Sequence, residues 1–283
     1  MLRQTLRNYY LSTGQAQTIG HASYLAHALL HRLRTRITQL AILLGFFGTW
    51  EAVAHYRLMD VFLISSPSRV WQTILWLYAD GLLFWHVGVT TLETIVGFVS
   101  GTIIGTFTAA LLWWWPSLFE IVDPYLIVLN SLPKIVLGPL FIIWFGTGYV
   151  TIIAMALAIS LITTIIVVHS GFSHVDTLRL KLARSFGATK WQTFLVIVLP
   201  GSFPTIVSAL KVNVGLSWVG VIVGEFLVSR AGLGYLAIYG GQVLNMHLVM
   251  TSVMLLAVAA TVMYQAVALL EQKVMAIHQV GQS

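Results

Sequence analysis

An all-α integral membrane protein of about six transmembrane helices, with one helix–turn–helix loop kept in the cytoplasm, is the fold this sequence predicts. Three observations predict it. First, 58% of the 283 residues are hydrophobic and only 8% are charged, with a mean hydropathy of +0.88. A soluble domain carries roughly a quarter charged residues, so this chain cannot cover itself with water-compatible surface, and lipid must be its main solvent. Second, its apolar stretches are near the ~20 residues that cross the hydrocarbon core as a helix. Third, its basic residues are sorted between alternate connections, as the positive-inside rule requires of a multi-pass protein.

Taken in order, residues 1–37 form a polar, basic segment with neither a long apolar core nor a small-residue cleavage site. They are expected to be a cytoplasmic tail, helical near 22–36, and not a signal peptide. A transmembrane domain follows over 38–273, and 274–283 form a second cytoplasmic tail. Span one covers about 38–56. Ser65-Ser66-Pro67-Ser68 then caps a short helix, 68–79, whose Val70, Ile74, Leu75 and Tyr78 predict an interface-lying face. Span two, about 88–112, ends at Trp113-Trp114-Trp115-Pro116, an aromatic belt closed by a helix-stopping proline. Span three lies within 124–146, interrupted by Pro133, Gly138 and Pro139. Spans four, five and six cover about 150–169, 203–227 and 247–270.

Charge fixes the expected orientation. Of 15 lysines and arginines, Arg3, Arg7, Arg32, Arg34, Arg36, Arg179, Lys181, Arg184, Lys190 and Lys273 fall on one side. Arg57, Arg69 and Arg230 fall on the other, and Lys134 and Lys211 lie within apolar spans. The split predicts both termini and the 173–200 loop inside. It also accounts for the net charge of +6 without a nucleic-acid partner.

The 173–200 segment is a polar island between apolar spans. Ser173 with Asp176 fits a capping box, and Val175, Leu178, Leu182 and Phe186 share a helical face. Gly187 stands where a helix ends in a left-handed residue. Thr189 with Gln192 is a second capping box, opening a helix that runs toward Pro200. From these patterns alone the segment is equally an amphipathic linker or a docking element.

Its residues also carry a resemblance. Ala183-Arg184-Ser185-Phe186-Gly187-Ala188, followed at fixed spacing by Ile197 and Leu199-Pro200, resembles the EAA loop of permease subunits in type I, binding-protein-dependent ABC importers. Leu132-Pro133-Lys134, Pro139-Leu140-Phe141-Ile142-Ile143-Trp144-Phe145-Gly146 and Gly232-Leu233-Gly234-Tyr235-Leu236 look like the nitrate/sulfonate/taurine branch. The resemblance covers about residues 50–273. It implies that Lys181, Ala183, Arg184, Ser185, Phe186, Gly187 and Ala188 couple the chain to a separate ATPase, which binds the ATP. It further implies an extracytoplasmic substrate-binding protein, a permease homodimer or a heterodimer with a similar permease, and the bacterial plasma (inner) membrane. The solute would be nitrate, a sulfonate, taurine, bicarbonate or a vitamin precursor. Lys181 and Leu182 replace the Glu and first Ala of the family pattern, so the contact made by that Glu does not carry over.

Polar residues inside the spans are the candidates for a pathway. Lys211, Gly215, Trp218, Ile222 and Glu225 recur at four-three spacing on one face of span five, opposite Asn213, Ser217, Gly220 and Gly224. Lys211 and Glu225 either line a wet path or snorkel to opposite interfaces; Trp218, at mid-span, is the better lining candidate. Lys134, among helix breakers, is either a gate residue or an inner anchor. Gly97, Gly101 and Gly105 form a small-residue stripe read first as packing within the chain and second as a dimer contact. Glu51 and Glu93 have no evident partner, and Glu93 is expected at an interface.

Catalysis has no support in the sequence. There is no Walker loop, no Gly-x-Ser-x-Gly, no cysteine, and His27/His31 lack the glutamate of a zinc helix. No catalytic residue, metal or resident cofactor is expected. An ion-coupled secondary transporter is the alternative, but it would show two symmetric halves with paired broken helices, and only one broken span is visible. A membrane scaffold would leave the polar residues of span five unexplained.

Overall fold

A computed structural model describes residues 18–59 and 64–280, with the side chains at 22 and 273–280 excepted. Arg3, Arg7 and the side chain of Lys273 therefore lie outside the described residues. The chain divides into two compact units, Met1–Arg69 and Val70–Ser283.

In the first unit one helix, α1 (Ile19–His55), replaces the expected tail and span. Thr18 caps it, its Oγ1 accepting from His21 N–H at 3.2 Å. No break occurs at residue 37. Nothing between the two segments interrupts a helix, and an arginine's backbone bonds as well as any other residue's. Glu51, read as unpartnered, accepts from the N–H (3.0 Å) and the hydroxyl (2.8 Å) of Ser68. Trp50 Nε1 donates to the Ile64 carbonyl at 3.1 Å.

Helix α2 (Pro67–Ala79) is capped by Ser66, whose hydroxyl accepts from Arg69 N–H at 3.3 Å. Its inward face is Val70, Ile74 and Leu77, while Leu75 and Tyr78 are exposed. The expected face was thus rotated by one residue; spacing of four then three follows the 3.6-residue period more closely.

The second unit is built on three long helices, α3 (Leu82–Trp114), α6 (Tyr149–Ser173) and α9 (Leu199–Val228). Small residues bring them together. A Cβ on Gly97, Gly101 or Gly105 would stand 2.7, 2.6 or 2.7 Å from Ala156, Ser160 or Thr164 of α6. On the other flank of α6, Gly220 abuts the backbone of Ala156 and a Cβ on Gly224 would lie 2.8 Å from Ile152 Cα. Lipid offers no hydrophobic drive between helices, so van der Waals contact at close range must hold them. The stripe on α3 is therefore intrachain packing.

These contacts also fix direction. The α3–α6 pairs rise together in number, 97 with 156 and 105 with 164, so the two helices are parallel. The α6–α9 pairs run oppositely. Two parallel spans need a return crossing between them. It is supplied by α4 (Pro116–Ser131) and α5 (Gly138–Phe145), bent by 93° and joined by a 3-10 turn at Lys134–Leu137. The break falls at Leu132, extended (ψ 137°) because a proline follows. Counting that bent pair as one span, up to six segments among the described residues are long and apolar enough to cross a membrane.

Beyond α9, α10 (Leu233–Gln242) is a short helix, and α11 (Met246–Val280) is a long one packed on α9 and α10. Helix continues past residue 273, where a tail was expected. The 173–200 segment holds α7 (Thr177–Ser185) and α8 (Lys190–Thr193). A π turn, Phe194–Val198, joins α8 to α9. Span five and the second loop helix thus form one continuous rod through Pro200, not two elements.

Candidate functional site

The loop between α6 and α9 is ordered by its own caps. Asp176, not Ser173, starts α7: its Oδ1 accepts from Leu178 N–H at 2.9 Å, while Ser173 still belongs to α6. At the other end Gly187 N–H bonds the Arg184 carbonyl and Ala188 N–H the Ala183 carbonyl, both at 3.0 Å. This is the Schellman closure, and it requires the positive φ of +73° found at Gly187. Thr189 and Gln192 form the expected capping box, with Thr189 N–H on Gln192 Oε1 at 2.8 Å.

Below the loop, Val175, Phe194 and Val198 join Phe172 and Val168 of α6 and Ala109 of α3 in one core. Lys190 donates to the Trp114 carbonyl and lies 5.3 Å from the Trp114 ring centroid. It therefore pins the loop to the aromatic end of α3. A cleft of about 590 Å³ opens between α3, α6 and the loop, with Arg184 and Lys190 on its wall. What the loop turns outward is Lys181, Arg184, Ser185, Phe186 and Gly187; Ala188 is half-buried and Ala183 is buried. Leu178 and Phe186 are 71% and 81% exposed beside Leu182. The result is a rigid, basic knuckle with an uncovered apolar ridge, seated on the rod that becomes α9.

The span residues are placed otherwise than expected. Lys211, Trp218 and Glu225 do not share an open face. Trp218 is buried with Val214 and Val267, packed by Phe98 and Met263. Lys211 pairs with Glu271 of α11. The opposite, small face is the one set on α6, and Asn213 Nδ2 also reaches Thr102 of α3 at 2.8 Å. A four-helix environment buries both faces of α9, which periodicity within one helix cannot register. Lys134 is exposed at the bend, its Nζ on the Asn130 carbonyl (2.8 Å) and Oδ1 (3.2 Å).

Glu225 instead belongs to a polar knot that closes the N-terminus of α10. Four successive N–H groups, each unpaired within the helix, find side chains. Gly232 N–H donates to His86 Nδ1 (3.0 Å) and Leu233 N–H to Thr90 Oγ1 (2.7 Å). Gly234 and Tyr235 N–H both donate to Glu225 Oε2, at 2.6 and 3.2 Å. Any Cβ at 232 would collide with the Glu225 carboxyl, and φ at Gly232 is +107°. Glu93 is also here, only 3% exposed and within hydrogen-bonding reach of Glu225. It is not interfacial. The signal was available: 93, 97, 101 and 105 are four apart, so Glu93 lies on the stripe that packs against α6.

Parallel and broken spans around a capped helix–turn–helix loop define a helical membrane protein. Consistent with this, the family model described as "Binding-protein-dependent transport system inner membrane component" matches residues 101–276, and the chain belongs to that family. It is a multi-pass inner-membrane permease subunit of an ABC importer and not an enzyme. Relatives include a probable ABC transporter permease of Haemophilus influenzae, 27% identical over 82% of this chain and 94% of that protein. The taurine transport permease TauC of Escherichia coli is 23% identical over 82% and 85%. A putative aliphatic sulfonates permease, SsuC of Bacillus subtilis, is 25% identical over 80% and 82%. Among solved structures, a chain of the inward-facing MetNI methionine ABC transporter shares the fold. Its TM-score is 0.53 at 21% identity, covering 69% of this chain and 98% of that one.

Proposed function

We propose that the 173–200 knuckle is the surface through which a separate ABC ATPase drives this permease. Both termini and the loop lie in the cytoplasm, with residues 1–37 and 274–283 as cytoplasmic flanks of the transmembrane domain, and two copies form the path. The observation that carries this reading is mechanical. The exposed ridge of Leu178, Leu182 and Phe186, with Lys181 and Arg184, is fixed by the Gly187 closure to a rod continuous with α9. A push on the knuckle is therefore delivered to the span that touches α3, α6 and α11. Ser185, Ala183 and Ala188 keep its shape.

The bend at Lys134 is the gate candidate, since irregular backbone at membrane depth belongs beside a cavity. Trp218 and Glu225 stiffen the wall from behind, and Lys211 ties α9 to α11. The solute is a small anion or polar organic molecule delivered by an external binding protein. Relatives named for taurine, aliphatic sulfonates, formylaminopyrimidine and riboflavin support that range.

The test is the transporter reconstituted with its ATPase and binding protein. Gly187→Val places a β-branched residue at positive φ, at a cost of about 1–2 kcal/mol. No neighbour lies within 4 Å of the added Cβ, so only the backbone closure is affected. Uptake and solute-stimulated ATP hydrolysis should both fall several-fold while the spans still insert. Normal values for both would return the segment to a linker.

A further inference from the structure

We propose that Glu93 of α3 and Glu225 of α9 form a binding site for one proton, Glu93 as the carboxylic acid donating to the Glu225 carboxylate, and that this proton holds α10 to the bundle. The first ground is geometric. Both oxygens of Glu93 are buried and meet no protein donor, and the Glu225 carboxyl, which also meets the Thr90 hydroxyl, stands within hydrogen-bonding reach of Glu93. Two ionised carboxylates at that separation, away from water, repel strongly, and neither can donate. One shared proton satisfies both: the acid of one becomes a donor to the other.

The second ground decides which carboxyl keeps the charge. Glu225 Oε2 accepts two N–H groups from the first turn of α10. A carboxylate at a helix N-terminus is favoured by the partial positive charge there. Glu93 has no such support and is the acid. The third ground is access. Glu93 also lines a cleft of about 430 Å³ with Phe84, Trp85, Leu92 and Tyr149, through which a proton can exchange.

The other titratable groups facing the pair are His86 and Tyr235, whose rings stack at 6.1 Å, and Tyr149 in the cleft. His86 uses Nδ1 as an acceptor for Gly232 N–H, so its protonation at acid pH removes a bond to α10. Loss of the Glu93 proton acts in the opposite direction, loosening the junction as pH rises. Lys211 is paired with Glu271 and Arg179 with Asp176, away from this junction.

The experiment uses the purified full-length protein in lipid nanodiscs, without reference to its orientation. Infrared difference spectra of the wild type should show a protonated-carboxyl C=O band near neutral pH that shifts in D2O and disappears reversibly at alkaline pH. Melting temperature should fall over the same pH interval. Glu93→Gln, whose amide donates at every pH, should lack the band and keep its melting temperature there. No such band in the wild type overturns the proposal, a result that does not depend on any variant folding. An unchanged band or an unchanged alkaline fall in Glu93→Gln also overturns it. So does stabilisation of the wild type by sodium at alkaline pH together with an absent band, which would make the site a cation bridge.

Discussion

Single residues in this protein are set by what stands opposite them. Lys211 lies in a span, where an ionic group is costly unless paired, and its partner is Glu271, sixty residues on. The pair joins α9 to α11 at the end of the bundle that carries the knuckle. Lys211→Glu and Glu271→Lys, each alone, should lower the melting temperature and the yield of assembled protein by placing like charges together. The double exchange should recover most of both. Failure of the double exchange to recover either would make the contact incidental. Neither residue points to the other in the sequence, because the pairing depends on the antiparallel setting of two helices. Gly187 is the opposite case: a local closure needs only neighbouring residues, and its position was legible from the helix–glycine–capping-box order alone.

Elements are positioned by small faces. Gly220 meets the backbone of Ala156 across the α6–α9 contact, whereas Gly215, on the same helix, has nothing within 4 Å. Gly220→Leu should force the helices apart, costing about 1–3 kcal/mol or more, as overpacking does. Gly215→Leu should leave thermal stability within the error of wild type. Melting curves of the two variants in the same detergent check this, and equal losses would show that α9 is not seated by its glycines. Periodicity revealed both glycine faces but not the partner of either; the small face of α9 is its seat on α6. The bent α4–α5 pair was legible as broken because Pro133 restricts the residue before it. That it must cross the membrane follows only from the parallel run of α3 and α6.

At the scale of the whole molecule, the proposed orientation rests on basic residues at the knuckle and in α1. The chain has no cysteine, so one introduced at Lys181 reports cleanly. It should resist a membrane-impermeant thiol reagent added to intact cells and react in inside-out vesicles. Labelling from outside would invert the topology and remove the knuckle from the ATPase side.

The sequence by itself determined the solvent, the approximate number of spans, the knuckle and its family. Each depends on composition, on local backbone preference or on a contiguous motif, all of which are properties of neighbouring residues. The tertiary structure decided which faces are open and which polar groups meet. Glu93 and Glu225 are 132 positions apart, and Gly232 and His86 are 146 apart. In a membrane bundle every face of a central helix is apolar or small, so one helix's pattern does not distinguish a wall, a seat and a path; only the neighbours packed against it do.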